Sequence, residues 1–133
     1  MLHRVAWLCA VALSFSAFES AHAQNNDCAG QTQVELNACA AANLRNADSE
    51  LNRVYRELLA KSSAAGKRAL RDAQRAWIAY RDKHCAFETL GTAGGSIRPM
   101  LASQCLADLT LARTLRLAKH LACEEGDLVC GGQ

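Results

Sequence analysis

The number and spacing of the cysteines are the most informative chemical feature of this chain. One of the seven cysteines, Cys9, lies in an apolar stretch near the N terminus, and the other six form three pairs of sequence neighbours. These pairs are Cys28 with Cys39, Cys85 with Cys105, and Cys123 with Cys130. Thiolates act as nucleophiles and metal ligands, but an even number of cysteines in a short exported chain indicates disulfides. We favour the three neighbour pairs, because short intervening segments bring such residues within disulfide reach, and a cross-link between distant helices is the alternative.

The first 23 residues are typical of a secretory signal peptide. Arg4 supplies a positive start, residues 5–18 are almost wholly apolar, and Ala21-His22-Ala23 is a small-x-small cleavage site. The apolar run is shorter than the roughly 18 to 20 residues that a membrane span needs, so a permanent anchor is the weaker alternative. We therefore predict a signal peptide over 1–23, which removes Cys9, and a single domain over 24–133 without a membrane span. The mature chain is predicted to be periplasmic or secreted.

A second group of candidate residues is polar but occupies the inward-facing positions of predicted helices. These residues are Asp48, Asn52, Gln74, Arg81 and Arg113. A buried guanidinium needs a carboxylate or several carbonyls, because an unpaired buried charge is costly. We predict that Asp48 pairs with Arg81 or Arg113 and that Asn52 and Gln74 complete the hydrogen bonds. We interpret this group as a structural polar network, and the alternative is a catalytic or ligand site.

Catalysis and metal binding have little support in the sequence. No Asp or Glu pair forms an acid-base motif, and the two histidines after the signal peptide, His84 and His120, lack zinc-site spacing. Oxidised cysteines offer no thiolate ligands. The formal net charge is +2, with basic and acidic residues interleaved along the helices, so a nucleic-acid partner is not expected. We predict a protein that is not an enzyme and has no cofactor or metal.

Three helices must position these residues. The Thr32-x-x-Glu35 capping box begins a first helix that extends to Lys61, and a connection follows over 62–66. A second helix is predicted over about 65–90, with Gly91 as a left-handed stop. Ser96 is predicted to cap a third helix that has Pro99 in its first turn and ends near residue 122. The predicted fold is all-α, a disulfide-braced three-helix up-down-up bundle.

Apolar residues at steps of three and four should line the inner face of each helix. The first helix offers Leu36, Ala40, Leu44, Ala47, Leu51, Tyr55 and Leu58; the second offers Leu70, Ala73, Gln74, Trp77, Arg81, His84 and Cys85. On the third we expect burial of Leu101, Cys105, Leu109, Ala112 and either Leu115 or Leu117.

The glycine-rich loop between the second and third helices is the candidate partner-binding segment. Its candidate residues are Gly94, Gly95, Ser96 and Arg98, because glycines allow close backbone approach while Ser96 and Arg98 add a donor and a fixed charge. The alternative is a plain connector held by the bridge from Cys85 to Cys105.

An ordered set of motifs resembles the lysozyme inhibitor LprI-like domain family. The motifs are Cys28 and Cys39 around Gln33-x-x-Leu36-Asn37, Ala47-Asp48-x-Glu50-Leu51-Asn52-x-x-Tyr55, Leu70-x-x-Ala73-Gln74-Arg75-Ala76-Trp77-Ile78-x-Tyr80-Arg81-Asp82-x-x-Cys85, Gly94-Gly95-Ser96, Cys105 and Thr110-x-x-Arg113-x-x-x-Leu117. The resemblance implies a small exported helical domain that inhibits lysozyme by binding it. This chain departs from the lipoprotein member behind the family name because it lacks a convincing lipid-attachment cysteine, and its tail with Cys123 and Cys130 extends beyond the pattern.

The leading hypothesis is an exported binding protein that inhibits lysozyme by occlusion. The alternative is a structural or assembly module of the cell envelope that docks another protein and has no effect on lysozyme. Both hypotheses require a protein partner.

Overall fold

The computed structural model describes residues 28–30, 32–124, 127–130 and 132, and the predicted signal peptide lies outside them. The fold consists of α1 Gln33–Lys61, α2 Ala64–Glu88 and α3 Arg98–Leu121. Single 3₁₀ turns occupy Leu90–Thr92 and Leu128–Cys130. All secondary structure in the described residues is helical, which confirms the predicted up-down-up bundle.

The start of α1 agrees with its sequence signal. The Thr32 hydroxyl accepts a hydrogen bond from the Glu35 amide at 3.3 Å, and the Glu35 carboxylate accepts one from the Thr32 amide at 3.0 Å. Two amides that have no partner inside the helix are thereby satisfied. The predicted capping box is confirmed.

The connection between α1 and α2 is shorter than predicted. Only Ser62 and Ser63 separate the helices, because the Ser63 hydroxyl accepts a hydrogen bond from the Gly66 amide at 3.1 Å and caps α2. Ser62 is buried and donates its hydroxyl hydrogen to the Leu58 carbonyl at 2.7 Å. Residues 64–66, which were expected to belong to the loop, already form the first turn of α2.

Two predictions about the connection between α2 and α3 were wrong. Ile97 is the N-cap residue and makes no side-chain cap, whereas Ser96 uses its carbonyl to accept a hydrogen bond from the Asn37 amide group at 3.1 Å. Gly91 does not stop α2 in a left-handed conformation, because Thr89 ends the helix and residue 91 continues into the 3₁₀ turn. Gly94 has the positive φ, 77°, so the left-handed position lies three residues later. Pro99 is in the first turn of α3, as expected.

The core lies mainly between α1 and α3, which pack against each other more extensively than either packs against α2. Its centre is formed by Leu51, Val54, Leu58 and Leu117. Towards the N-terminal ends, the buried residues are the small side chains Ala40, Ala47 and Ala107. Small side chains allow two helix axes to approach closely.

The buried face of α3 differs from the expected one. Leu117 is buried, but Leu115 is 67% exposed and Ala112 is also exposed. Two threonines, Thr110 and Thr114, are buried on this helix, and neither was among the residues expected to be buried. On α2, Ala73 is exposed, and Gln74 and Cys85 are the buried residues.

The structure joins the cysteines in the three neighbour pairs. Cys28–Cys39 fastens the segment before α1 to that helix, Cys85–Cys105 links α2 to α3, and Cys123–Cys130 closes a loop after α3. The Cα atoms in these pairs are 5.7, 5.7 and 5.9 Å apart. Three disulfides indicate residence outside the reducing cytoplasm. Within the described residues, no helix has both the length and the apolar character of a membrane span.

Candidate functional site

A polar network centred on Arg81 connects all three helices. The Nη1 atom of Arg81 donates to Asp48 on α1 at 2.9 Å and to the Thr110 hydroxyl on α3 at 3.0 Å. Its Nε atom donates to the neighbouring Asp82 at 3.0 Å. The Arg81 side chain is only 15% exposed, and Thr110 is fully buried. One guanidinium therefore holds α2 in register against the pair formed by α1 and α3.

Arg113 has a different environment from Arg81. Its Nε atom donates to Gln74 at 3.2 Å, and within the described chain no carboxylate oxygen lies close enough to form an ion pair with it. Both guanidinium groups lie near Trp77, at 5.2 Å for Arg81 and 5.8 Å for Arg113 from the ring centroid. Burial, and secondarily the like charge of Arg116, lower the pKa of Arg113. Of the two arginines considered for Asp48, the structure pairs it with Arg81.

The observed network differs from the predicted one at two residues, Asn52 and Thr110. Asn52 is exposed on α1 and makes none of the hydrogen bonds described around Arg81 and Arg113. Thr110 accepts a hydrogen bond from Arg81 but was not among the predicted members. It was part of the motif Thr110-x-x-Arg113, but a threonine gives no local signal that its hydroxyl will accept from an arginine on another helix.

We expect Arg81→Ala to destabilise the fold by about 2 kcal/mol. The substitution removes the hydrogen-bond donor of the buried Thr110 hydroxyl and uncovers one side of Trp77, which costs more than the loss of a partly exposed ion pair. Arg75→Ala on the same helix is the matched control, because Arg75 is 76% exposed and, among the described residues, forms an ion pair with Asp72 alone. We expect its effect to stay within about 0.5 kcal/mol. Urea unfolding of both variants measures the difference, and equal effects would contradict a role for the network in stability.

The second candidate site is the end of the bundle formed by residues 87–98, which we call the tip. It comprises the last residues of α2, the 3₁₀ turn and the loop that enters α3. Three large apolar side chains are exposed there: Phe87 by 75%, Leu90 by 64% and Ile97 by 40%. Several large exposed apolar side chains at one end of a fold make that end a candidate interaction surface.

The tip is braced on several sides. Cys85–Cys105 joins the two helices directly beneath it, and the hydrogen bond from Asn37 to the Ser96 carbonyl fastens the loop to α1. Within the loop, the Thr92 hydroxyl donates to the Thr89 carbonyl at 2.8 Å, and the Gly95 amide donates to the Thr92 carbonyl at 3.0 Å. The loop therefore has a defined conformation despite its three glycines.

The predicted loop residues all lie on the tip. Gly94, Gly95 and Ser96 are exposed, while Arg98 is half-buried at the start of α3. No ion pair forms at Arg98 within the part of the chain that the structure describes. The apolar residues of the tip were not predicted as a site, because the sequence does not show whether a Phe, Leu or Ile near a helix end is exposed or buried.

Two groups of potential metal ligands occur among the described residues, and both include disulfide-bonded cysteines. The His84 Nε2 atom lies 3.0 Å from Glu88, beside Cys105, and a second group of potential ligands comprises Cys123, Asp127 and Cys130. Each cysteine in these two groups belongs to a disulfide, so its sulfur is no thiolate ligand. Neither group therefore has the three ligands that a protein metal site usually provides.

Comparison with known proteins places these features in a family. The model of the family described as "Lysozyme inhibitor LprI" matches residues 23–117. The chain belongs to the lysozyme inhibitor LprI family. An uncharacterized protein from Rhizobium meliloti (strain 1021) is 41% identical to this chain over 107 residues, which cover 71% of this chain and 77% of that protein. No solved structure matches the chain.

The LprI family match includes most of the features described above. It covers the Arg81 network, the tip and the first two disulfides, whereas Cys123–Cys130 lies beyond it. The motifs that resembled this family in sequence thus fall on residues that build the bundle and brace its tip.

Proposed function

We propose that this protein inhibits lysozyme by inserting its tip into the substrate cleft. Membership of the lysozyme inhibitor LprI family supports the choice of target. The observation that carries the choice of surface is the combination of exposed apolar side chains, a braced loop and Arg98 at one end of the bundle. The action is binding, so it requires no catalytic group on the inhibitor.

The chemistry of the tip complements that of a glycosidase cleft. Such a cleft contains a pair of catalytic carboxylates, and Arg98 supplies a cation that is not engaged in an ion pair with the described residues. An arginine can bind a carboxylate through two parallel hydrogen bonds. Phe87, Leu90 and Ile97 would lose their exposed apolar surface in the complex, which favours association.

Bracing of the tip also favours tight binding. A loop that is already ordered loses little conformational freedom when it binds, so more of the contact energy appears as affinity. The disulfide at the base of the tip and the Asn37–Ser96 hydrogen bond provide this order before any partner is present. The three disulfides fit a periplasmic or secreted protein, which would meet lysozyme where the enzyme reaches the cell wall.

The direct test is a lysozyme assay on bacterial cell walls with the purified protein. The panel of enzymes should represent more than one structural class of lysozyme, because the sequence does not specify the class. We expect dose-dependent inhibition of at least one class with a one-to-one stoichiometry. Full lysozyme activity at micromolar excess of the protein against every class would contradict the proposal.

Arg98→Ala should weaken inhibition by at least about tenfold, since loss of one charge-assisted contact typically costs more than 1.4 kcal/mol. Arg53→Ala is the matched control, because Arg53 lies on the exposed surface of α1, where it pairs with Glu50 and Glu57. We expect its inhibition constant to change by less than about twofold. The measurement is the inhibition constant of each variant, with circular dichroism as the check on folding. Equal losses in the two variants would place the binding surface away from the tip.

A further inference from the structure

A pocket lies at the end of the bundle opposite the tip. It is formed by the C-terminal parts of α1 and α3, the N-terminal part of α2, Cys130 and Gly132, and its volume is about 290 Å³. The walls are mostly apolar and include Leu58, Leu70 and Leu117. A concave apolar site of this kind with few polar groups is the usual form of a small-molecule site, and this one is at the small end of the range.

Two titratable side chains, Arg113 and His120, line this pocket, and Arg113 is the permanently charged one. Its Nε atom is occupied by Gln74, which is neutral, and the remaining N–H groups of the guanidinium make no hydrogen bond within the described residues. The nearby aspartate that was a candidate partner, Asp48, is bound to Arg81 instead. Arg113 is therefore a partly desolvated positive charge whose donors can receive an anionic ligand.

The cation and the apolar walls of the pocket together define the chemical class of the ligand. A guanidinium binds a carboxylate with two N–H groups, and a single cation balances a single negative charge. The leucine walls then require an apolar group attached to that carboxylate. The modest volume limits this group to a chain of medium length, because a long acyl chain exceeds the available space.

We infer that this pocket binds a medium-chain aliphatic carboxylate, with its carboxylate on Arg113 and its hydrocarbon chain against Leu58, Leu70 and Leu117. The site is independent of the tip, since it lies at the other end of the bundle and shares no residue with it. Occupancy of this pocket and inhibition of lysozyme can accordingly be tested separately.

Isothermal titration calorimetry with sodium octanoate as the probe tests the inference. We expect one-to-one binding that tightens by about fourfold for each methylene from hexanoate to octanoate. Octylammonium has the same chain and the opposite charge, so its binding should be at least tenfold weaker than that of octanoate. Absence of octanoate binding, or equal binding of octylammonium, would overturn the inference.

Two variants locate the site. Arg113→Gln should reduce octanoate affinity at least tenfold. Ala69→Leu fills the pocket from the exposed surface of α2 without removing a buried group, and it should also abolish binding. Arg75→Gln, on the exposed face of α2, is the control that should bind octanoate as the unaltered protein does. Retention of binding in a folded Ala69→Leu variant would place the ligand elsewhere and overturn the assignment, even if Arg113→Gln fails to fold.

Discussion

Replacement of both Cys85 and Cys105 by serine should lower the free energy of unfolding by about 3 kcal/mol and weaken the proposed inhibition of lysozyme by at least tenfold. The bridge spans 20 residues of sequence, and the chain-entropy account gives a loop of that size about this value. The bridge also joins α2 to α3 at the base of the tip. Its loss therefore allows the loop between them to sample other conformations, and binding must then restore the order.

The control is the double replacement of Cys123 and Cys130 by serine. This bridge spans seven residues, so its contribution to stability is about 2 kcal/mol, but it lies after α3 and outside the tip. We expect it to lower stability without changing the inhibition constant. Urea unfolding and the cell-wall assay, both at a temperature where each variant is folded, separate the two effects. An equal loss of inhibition in both double variants would mean that the tip's brace has no special role in binding.

Leu117→Ala should destabilise the protein by about 3 kcal/mol, whereas Leu115→Ala should change its stability by less than about 0.5 kcal/mol. Leu117 is 3% exposed and packs in the core with Leu51, Val54 and Leu58. Leu115 is 67% exposed on the same helix. The same chemical change at two sites two residues apart thus measures burial alone, because helix propensity contributes equally to both.

Denaturant unfolding with a common m-value is the appropriate measurement for this pair. A difference of less than about 1 kcal/mol between the variants would contradict the packing of α3 against α1 in the orientation described. The comparison is also the sharpest test of the rotation of α3 about its own axis, since a rotated helix would bury Leu115 instead.

The local features of the fold could be predicted from sequence, because their determinants lie within a few residues. The Thr32-x-x-Glu35 pattern specifies a helix start through contacts made within one turn. The start of α3 depends on a distant residue, since Asn37 engages the Ser96 carbonyl across the bundle. No pattern near Ser96 reports that contact, and so the predicted cap was wrong.

The buried face of α1 was predicted more closely than the buried faces of α2 and α3. On α1 the predicted stripe includes the buried residues Ala40, Ala47, Leu51 and Leu58. On α3 the pattern allowed both Leu115 and Leu117, which are about 200° apart around the helix, and only the position of α1 decides between them. On α2, Ala73 is exposed because this helix makes fewer contacts with the other two.

The candidate sites were predicted to different extents for a similar reason. An arginine among apolar residues requires a partner, so the prediction that Asp48 pairs with Arg81 or Arg113 followed from charge, and the structure selects Arg81. The threonine that completes the network, the apolar side chains of the tip and the pocket beside Arg113 each combine residues from separate helices. Their formation depends on how the helix ends meet, which a one-dimensional pattern does not contain.

The light packing of α2 has a practical consequence. Because Gln74 and Cys85 are its buried residues, most of its length presents a surface that neither the tip nor the core requires. A fluorophore or an immobilisation tag attached at Ala79, which is exposed midway along that surface, leaves both ends of the molecule free. A label on α2 thus allows binding of a partner at one end and binding of a small ligand at the other to be measured in the same sample.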